Sequence, residues 1–270
     1  MAGLQATTPA TAPAQAMQPA VVDRLWQLNR DFYTALAEPF AASRAAPQAG
    51  WQRLAPFLPQ HGMLLDAGCG NGRLAHFLHT AQPALGYVGV DGSAALLSAA
   101  RRSAAAAGLA ASFIQADLAA ADWPAQLPQQ GFAAVALLAV LHHVPGWAAR
   151  VALLHRSAAV LAANGVILLS VWQFLNEDRL RRRLMPWNAA GLQADEVEPE
   201  DYLLDWQRGG TGLRYCHWVS EAELAGLAAA AGLAVRTLFY ADGRSGRLNL
   251  FAVLQPMAHY AAAAADRWGG

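Results

Sequence analysis

The chain has 270 residues, 55% of them hydrophobic, with no net formal charge and a pI near 7.1. That suits one domain with a large core. The neutral balance argues against a protein that holds nucleic acid by whole-surface attraction. Two cysteines, Cys69 and Cys216, are too few for a disulfide framework and too far apart for a metal clip, so no metal is expected. No stretch has the length and apolarity of a membrane span.

Residues 1–20 are rich in Ala, Thr, Pro and Gln, without a charged start or an apolar run. They read as a disordered tail rather than a secretory leader, and the setting expected is cytoplasmic. Helical spacing follows over 21–37, with Leu25, Leu28, Phe32 and Ala35 on one stripe, and again over 50–58. A short apolar strand over 63–66 enters a glycine turn, and a helix continues over 74–80. Strand 87–90 ends in Asp91. Helix 94–107 has Ser93 as its cap and Gly108 as its stop. Strand 111–115 ends near Asp117. Strand 132–138 precedes His142 and His143, helix 148–161 precedes an Asn164-Gly165 turn, and strand 166–172 follows.

The alternation then stops. Residues 173–213 carry the basic cluster Arg179, Arg181, Arg182 and Arg183 and a run of acids from Asp195 to Asp205, and read as an inserted cap. Helix 220–231, with Ser220 as cap and Glu223 three residues on, and strands 234–240 and 248–254 complete a domain over 21–257. A second tail is expected over 258–270. Strands alternating with helices imply an α/β fold, a doubly wound and mostly parallel sheet of seven strands with a small cap.

The segment Leu64-Leu65-Asp66-Ala67-Gly68-Cys69-Gly70-Asn71-Gly72 carries the strongest chemical signal. A glycine turn after a buried strand lets backbone approach a ligand, and the next helix presents free N–H groups. Asp66 is an anion suited to a cationic ligand. Asp91, at the next strand end, can accept both hydroxyls of a ribose. Asp117, after the third strand, can reach an adenine amino group. The glycine spacing GxGxG differs from the GxGxxG of dinucleotide enzymes, which disfavours NAD.

This order of acid, glycines, acid and acid at successive strand ends resembles the class I S-adenosylmethionine (SAM)-dependent methyltransferases, with their Rossmann-like fold, over about residues 63–171. The resemblance implies SAM as cofactor. Gly68, Gly70 and Gly72 would wall its methionine part, Asp66 face its amino group, Asp91 hold its ribose, and Asp117 with Leu118 frame its adenine. It extends the cofactor set to Arg44, Cys69, Asn71, Gly92, Ser93 and Leu138. One departure is Phe132-Ala133, where the family often reads Phe-Asp.

A narrower resemblance rests on Tyr33, Phe40, Ser43 and Arg44, on Val140-Leu141-His142-His143-Val144, on Leu169-Ser170-Val171-Trp172-Gln173, on Arg214-Tyr215-Cys216-His217 before Glu223-Leu224, and on Arg247-Leu248-Asn249-Leu250. Together these look like the wobble-uridine carboxymethyl methyltransferases of tRNA. That implies tRNA modification by methyl esterification of a carboxylate, and a small zinc-binding activator protein as partner. A carboxylate needs no general base, only alignment and a cation or donor to hold it. Arg214, Tyr215 and His217 are the substrate-side candidates, with Arg44 as another, and Trp172 is a candidate for stacking on a base. His143 is the candidate catalytic residue, a base if the acceptor is a hydroxyl or amine. The same core also serves small-molecule O- and N-methyltransferases, with a small acceptor in place of tRNA, and a non-catalytic SAM-binding module.

Overall fold

The computed structural model describes residues 9–13, 15–42 and 49–257. Helix α1 (Pro19–Ala35) opens on a proline, whose missing N–H costs nothing at a first helical position. Its buried stripe is Val21, Leu25, Leu28, Asn29 and Phe32. Upstream, inside the stretch expected as a tail, the Ala10 N–H donates to the Ala222 carbonyl at 2.9 Å. A side chain at Gly226 would overlap the Ala10 carbonyl seated there. Two short helices follow, α2 (Ala37–Ala42) and α3 (Ala49–Leu54). Helix α3 gives way to a tight 3-10 turn over Ala55–Phe57, sooner than the expected 58, because Pro56 has no N–H to continue the ladder.

Strand β1 (Gly62–Ala67), helix α4 (Arg73–Ala81), strand β2 (Leu85–Asp91), helix α5 (Ala94–Ala106) and strand β3 (Ala111–Gln115) come next. Strand β4 (Phe132–Leu138), helix α6 (Trp147–Ala159) and strand β5 (Leu161–Trp172) complete the parallel part. Strand β5 begins five residues before the expected 166, at Leu161, and its register against β4 shifts between Phe132 and Ala134. The left-handed Asn164 sits in that irregular stretch. After the cap, helix α8 (Glu221–Ala230) leads into β9 (Leu233–Ala241) and β10 (Asn249–Pro256). Ser220 caps α8 by accepting the Glu223 N–H at 3.1 Å.

The seven strands lie in the order β3-β2-β1-β4-β5-β10-β9, with β10 antiparallel to both neighbours. Strand order reverses between β1 and β4, and the crevice at the strand tips there is where ligands of such sheets bind. Alternate strand residues face two separate cores. Leu65, Val88, Val135 and Ile167 meet α6 and α8 on one side, while Leu64, Tyr87, Ala136 and Leu168 meet α3 to α5 on the other. Each fully buried Leu or Val contributes about 1.5–3 kcal/mol.

The cap holds α7 (Asp178–Arg181) and a second sheet, β6 (Leu184–Met185), β7 (Asp201–Trp206) and β8 (Gly212–His217), all antiparallel. That sheet reaches His217, past the expected end at 213. Strand β8 lies against α1, so Leu213 and Tyr215 join the α1 cluster while Cys216 joins Phe174 and Leu180. No helix among the described residues is long and apolar enough to cross a membrane.

Candidate cofactor and acceptor site

A cavity of about 600 Å³ opens at the reversal point. Its floor is the turn after β1. Gly68 and Gly70 have φ of +85° and +55°, a region that L side chains rarely adopt. The Gly68 and Cys69 N–H groups both donate to the Val90 carbonyl, at 2.7 and 2.9 Å, which pins the turn to the tip of β2. The Gly70 N–H donates to Asp91 Oδ2 at 2.8 Å, and the Ser93 N–H donates to Asp91 Oδ1 at 2.8 Å. Burial nevertheless raises the Asp91 carboxyl above its ordinary range.

Asp66 lies beneath, buried and accepting the Tyr87 hydroxyl at 2.7 Å. Burial pushes its carboxyl up to about 7, against the Tyr87 hydrogen bond, which favours the ionised form. Arg73 also lines the cavity, its guanidinium 5.1 Å from the Trp51 ring.

Asp66, Gly68, Cys69, Gly70, Asn71, Asp91, Gly92, Ser93, Asp117, Leu118 and Leu138, all expected in the cofactor set, share this cavity. Gly72 does not line it. A Cβ there would press on Ala100 and Phe113, so its glycine serves helix–strand packing and the left-handed entry into α4. Arg44 lies outside the described residues.

The roof is α1, which contributes Trp26, Asn29, Arg30 and Tyr33. The sequence pattern marks this helix as a core stripe, with Tyr33 set apart by the narrower resemblance alone. The available signal was Asn29, a polar residue next to Leu28 on an apolar face; it is only 4% exposed. Arg73, directly after the last glycine, lines the cavity without belonging to the expected set. Ala139 lines the cavity at φ +61°, its N–H held by Ser170, and no local pattern announces it.

His143 lines the cavity, in the turn after β4. Its Nε2 is 2.9 Å from the Tyr33 hydroxyl and its Nδ1 is 3.1 Å from the Tyr215 carbonyl oxygen. A carbonyl can only accept, so the neutral ring carries its proton on Nδ1 and its Nε2 accepts from Tyr33. His142 is turned away, and its Nδ1 accepts the Trp172 N–H at 3.3 Å.

The substrate-side candidates are placed elsewhere. Arg214, Tyr215, His217 and Trp172 are not among the residues that line the cavity. Arg214 is sandwiched between Phe32 and Trp172, 5.1 and 4.8 Å from the two rings, and interacts with Tyr33 and Cys216. Tyr215 and His217 belong to a buried polar knot. The Tyr215 hydroxyl donates to Asp201 Oδ1 at 2.7 Å; His217 meets Asp201 through Nδ1 at 2.7 Å and Glu223 through Nε2 at 2.8 Å. Arg150 pairs with Glu198 and, at 3.3 Å, with Glu223. Glu198, Asp201 and His217 bring ligand atoms within 4.8 Å of one another, but Arg150 and Glu223 already engage that trio. Hydrogen bonds to Asp201 and Glu223 outweigh burial and raise the His217 imidazole above its ordinary value. Within the arginine cluster, Arg179 faces Glu177 and Arg181 pairs with Asp178, on the exposed face of α7.

A family model described as a methyltransferase domain matches residues 40–238. The chain belongs to that family and is a methyltransferase. No curated protein matches it at a significant level. Among solved structures, the methyltransferase resembles a SAM-dependent methyltransferase of Methanosarcina mazei, at 19% identity over 76% of this chain and 96% of that one, with a TM-score of 0.59. A SAM-dependent methyltransferase of Clostridium acetobutylicum is similar at 12% identity, over 84% and 98%, with a TM-score of 0.59. An O-methyltransferase of neocarzinostatin biosynthesis, solved with SAM and 2-hydroxy-5-methyl naphthoic acid, is 25% identical over 76% of this chain and 53% of that one, with a TM-score of 0.51. The methyltransferase therefore spans about half the length of that last relative. SAM is the cofactor of this fold, and the residues present fit it. A Cβ at Gly70 would meet nothing within 4 Å, so the turn opens onto free space. The carboxylates around that space suit an ammonium group and a pair of hydroxyls.

Proposed function

We propose that this methyltransferase methylates an oxygen of a small hydroxylated acceptor, with His143 receiving the proton. The observation that carries the reading is the ring of His143 at the cavity wall, its Nε2 2.9 Å from the Tyr33 hydroxyl and its Nδ1 3.1 Å from the Tyr215 carbonyl oxygen. SAM, when bound, supplies an electrophilic methyl group. Asp66 would hold its ammonium, Asp91 its ribose hydroxyls, and Asp117 with Leu118 its adenine. Those contacts leave the His143 and Tyr33 side of the cavity for the acceptor.

A hydroxyl is a weak nucleophile until its proton is removed as the new bond forms. An acceptor hydroxyl that donates to the Tyr33 oxygen completes a path on which its proton ends at Nε2, because the Tyr33 proton is already directed there. The ligand pair in the 25%-identical relative supports the same class of reaction.

Esterification of a carboxylate on a tRNA wobble uridine, with a small activator protein, has less support. Tyr215 and His217 are committed to the buried knot, and Arg179 and Arg181 of the arginine cluster face acids. The deciding assay incubates the protein with methyl-tritiated SAM and, separately, phenolic and aliphatic alcohols, carboxylic acids, and bulk tRNA. The expected product is base-stable label in an organic extract, lowered about 10²–10⁴-fold in His143→Gln with SAM affinity kept. Base-labile label on tRNA, undiminished in His143→Gln, would overturn the reading.

A further inference from the structure

We infer that Asn29 is a positioning residue that sets the protonation pattern of His143. The inference rests on the proposed role of His143 as proton acceptor and deepens it. Asn29 is buried on α1, outside the stretch that the family model matches. Its side-chain amide makes two hydrogen bonds to two different elements. Its Nδ2 donates to the main-chain carbonyl of His143 at 3.2 Å. Its Oδ1 accepts the main-chain N–H of Tyr215 at 2.9 Å. One planar amide therefore ties the His143 backbone to the very residue whose carbonyl oxygen takes the His143 Nδ1 proton. One helical turn later the same face of α1 presents Tyr33 to the other ring nitrogen.

The consequence is chemical. A histidine side chain free in water favours the tautomer with its proton on Nε2, and that form has no lone pair to offer the cavity. The carbonyl of Tyr215 reverses the preference by accepting from Nδ1. It does so only while it stays in line with the ring, since hydrogen bonds weaken steeply as they bend. Tyr215 lies in β8, the edge strand of the cap sheet, and its own N–H and carbonyl turn toward Asn29 and His143. Asn29 fixes this edge against the His143 backbone and so holds the carbonyl in line with the ring. The Cys216 Sγ, 3.6 Å from the same Nδ1, is too weak a partner to take over the task.

The test is nitrogen-15 NMR of His143 in the protein, which distinguishes a protonated Nδ1 from a protonated Nε2 without any turnover, read beside SAM titration and steady-state kinetics. Wild type is expected to hold the proton on Nδ1. In Asn29→Ala the Nε2-protonated form becomes the major one, and kcat falls about tenfold or more while the SAM dissociation constant moves less than threefold. Asn29→Asp keeps the acceptor for Tyr215 but loses the donor to the His143 carbonyl; it is expected to fall between wild type and Asn29→Ala in tautomer ratio and kcat. An Nε2-protonated ring in wild type overturns the inference, even if neither variant folds. So does an unchanged spectrum in Asn29→Ala, or an equal loss of SAM affinity and kcat. If His143→Gln keeps full activity while Asn29→Ala still switches the tautomer, the proposed reaction fails and the positioning stands.

Discussion

The carboxylate of Asp91 accepts the backbone N–H of Gly70 at 2.8 Å, so the acid at the tip of β2 is built into the glycine turn that follows β1. Its other oxygen takes the Ser93 N–H at the same distance. The group read from the sequence as a ribose ligand therefore also shapes the floor of the cavity. Asp91→Ala removes an acceptor from two main-chain donors and is expected to weaken SAM binding at least tenfold by calorimetry. Asp91→Asn keeps one carbonyl oxygen and should fall between. Wild-type affinity in Asp91→Ala would remove this residue from the site.

SAM affinity should rise with pH across neutrality. The Asp66 carboxyl is held near 7 by burial, so below that pH the free protein carries it largely protonated. An ammonium group beside it favours the ionised form, so binding expels a proton. The sign follows: affinity is weaker on the acid side and gains as the pH passes 7, up to where the ligand amine itself deprotonates. Calorimetry in two buffers of different ionisation enthalpy reads the proton count, expected to approach one proton released per SAM near pH 6. Asp66→Asn should abolish the release and flatten the profile. A flat profile in wild type would show that Asp66 does not meet the ammonium.

The two glycines of the turn should fail in different ways. At Gly68 the left-handed backbone coincides with a collision, because a Cβ would overlap Val140. Gly68→Ala is expected to lose about 1–3 kcal/mol for the backbone conformation alone, with the clash in addition. At Gly70 a Cβ meets nothing within 4 Å. Gly70→Ala should lose only about 1–2 kcal/mol, the cost of left-handed backbone in a non-glycine residue, while its methyl occupies cavity space and weakens SAM binding. Thermal melts and SAM titrations separate the two, and normal SAM affinity in Gly70→Ala would show that the turn does not face the cofactor.

The strand tips were legible because apolar runs ending in an acid or a glycine are unambiguous, and Asp66, Asp91, Asp117 and Leu138 indeed share one cavity. The cap sheet was not. Its strand β6 has two residues, and β8 buries Arg214 and His217 as fully as Tyr215, so the polar-out alternation that marks a strand is missing. Tyr215 and His217 looked like pocket residues for the same reason: a buried ion network cannot be told from a binding site by residue type. The α1 roof was hidden differently. Tyr33 meets His143 across 110 residues of chain, and only the tertiary fold brings them within 2.9 Å.

The buried knot leads to a stability prediction that is independent of catalysis. Arg150 faces Glu198 and Glu223 in a space closed to water, and His217 bridges Asp201 and Glu223. It joins the cap strands β7 and β8 to helices α6 and α8, so it fastens the cap to the body. Arg150→Met removes the cation that Glu198 and Glu223 share and is expected to lose about 3–5 kcal/mol. At about 2–4 °C per kcal/mol for a domain of this size, the melting temperature should drop by roughly 6–20 °C. His217 adds a pH dependence of fixed sign. Its folded value is raised above the ordinary 6.5, so its contribution is complete below about pH 6.5 and is lost as the pH climbs through the raised value. Melting temperature should therefore decline on the alkaline side, and His217→Gln should be less stable in acid yet show a shallower decline. A variant that tracks the wild-type slope between pH 6 and 9 would mean that His217 is neutral in the folded protein and that Arg150 alone offsets the acids.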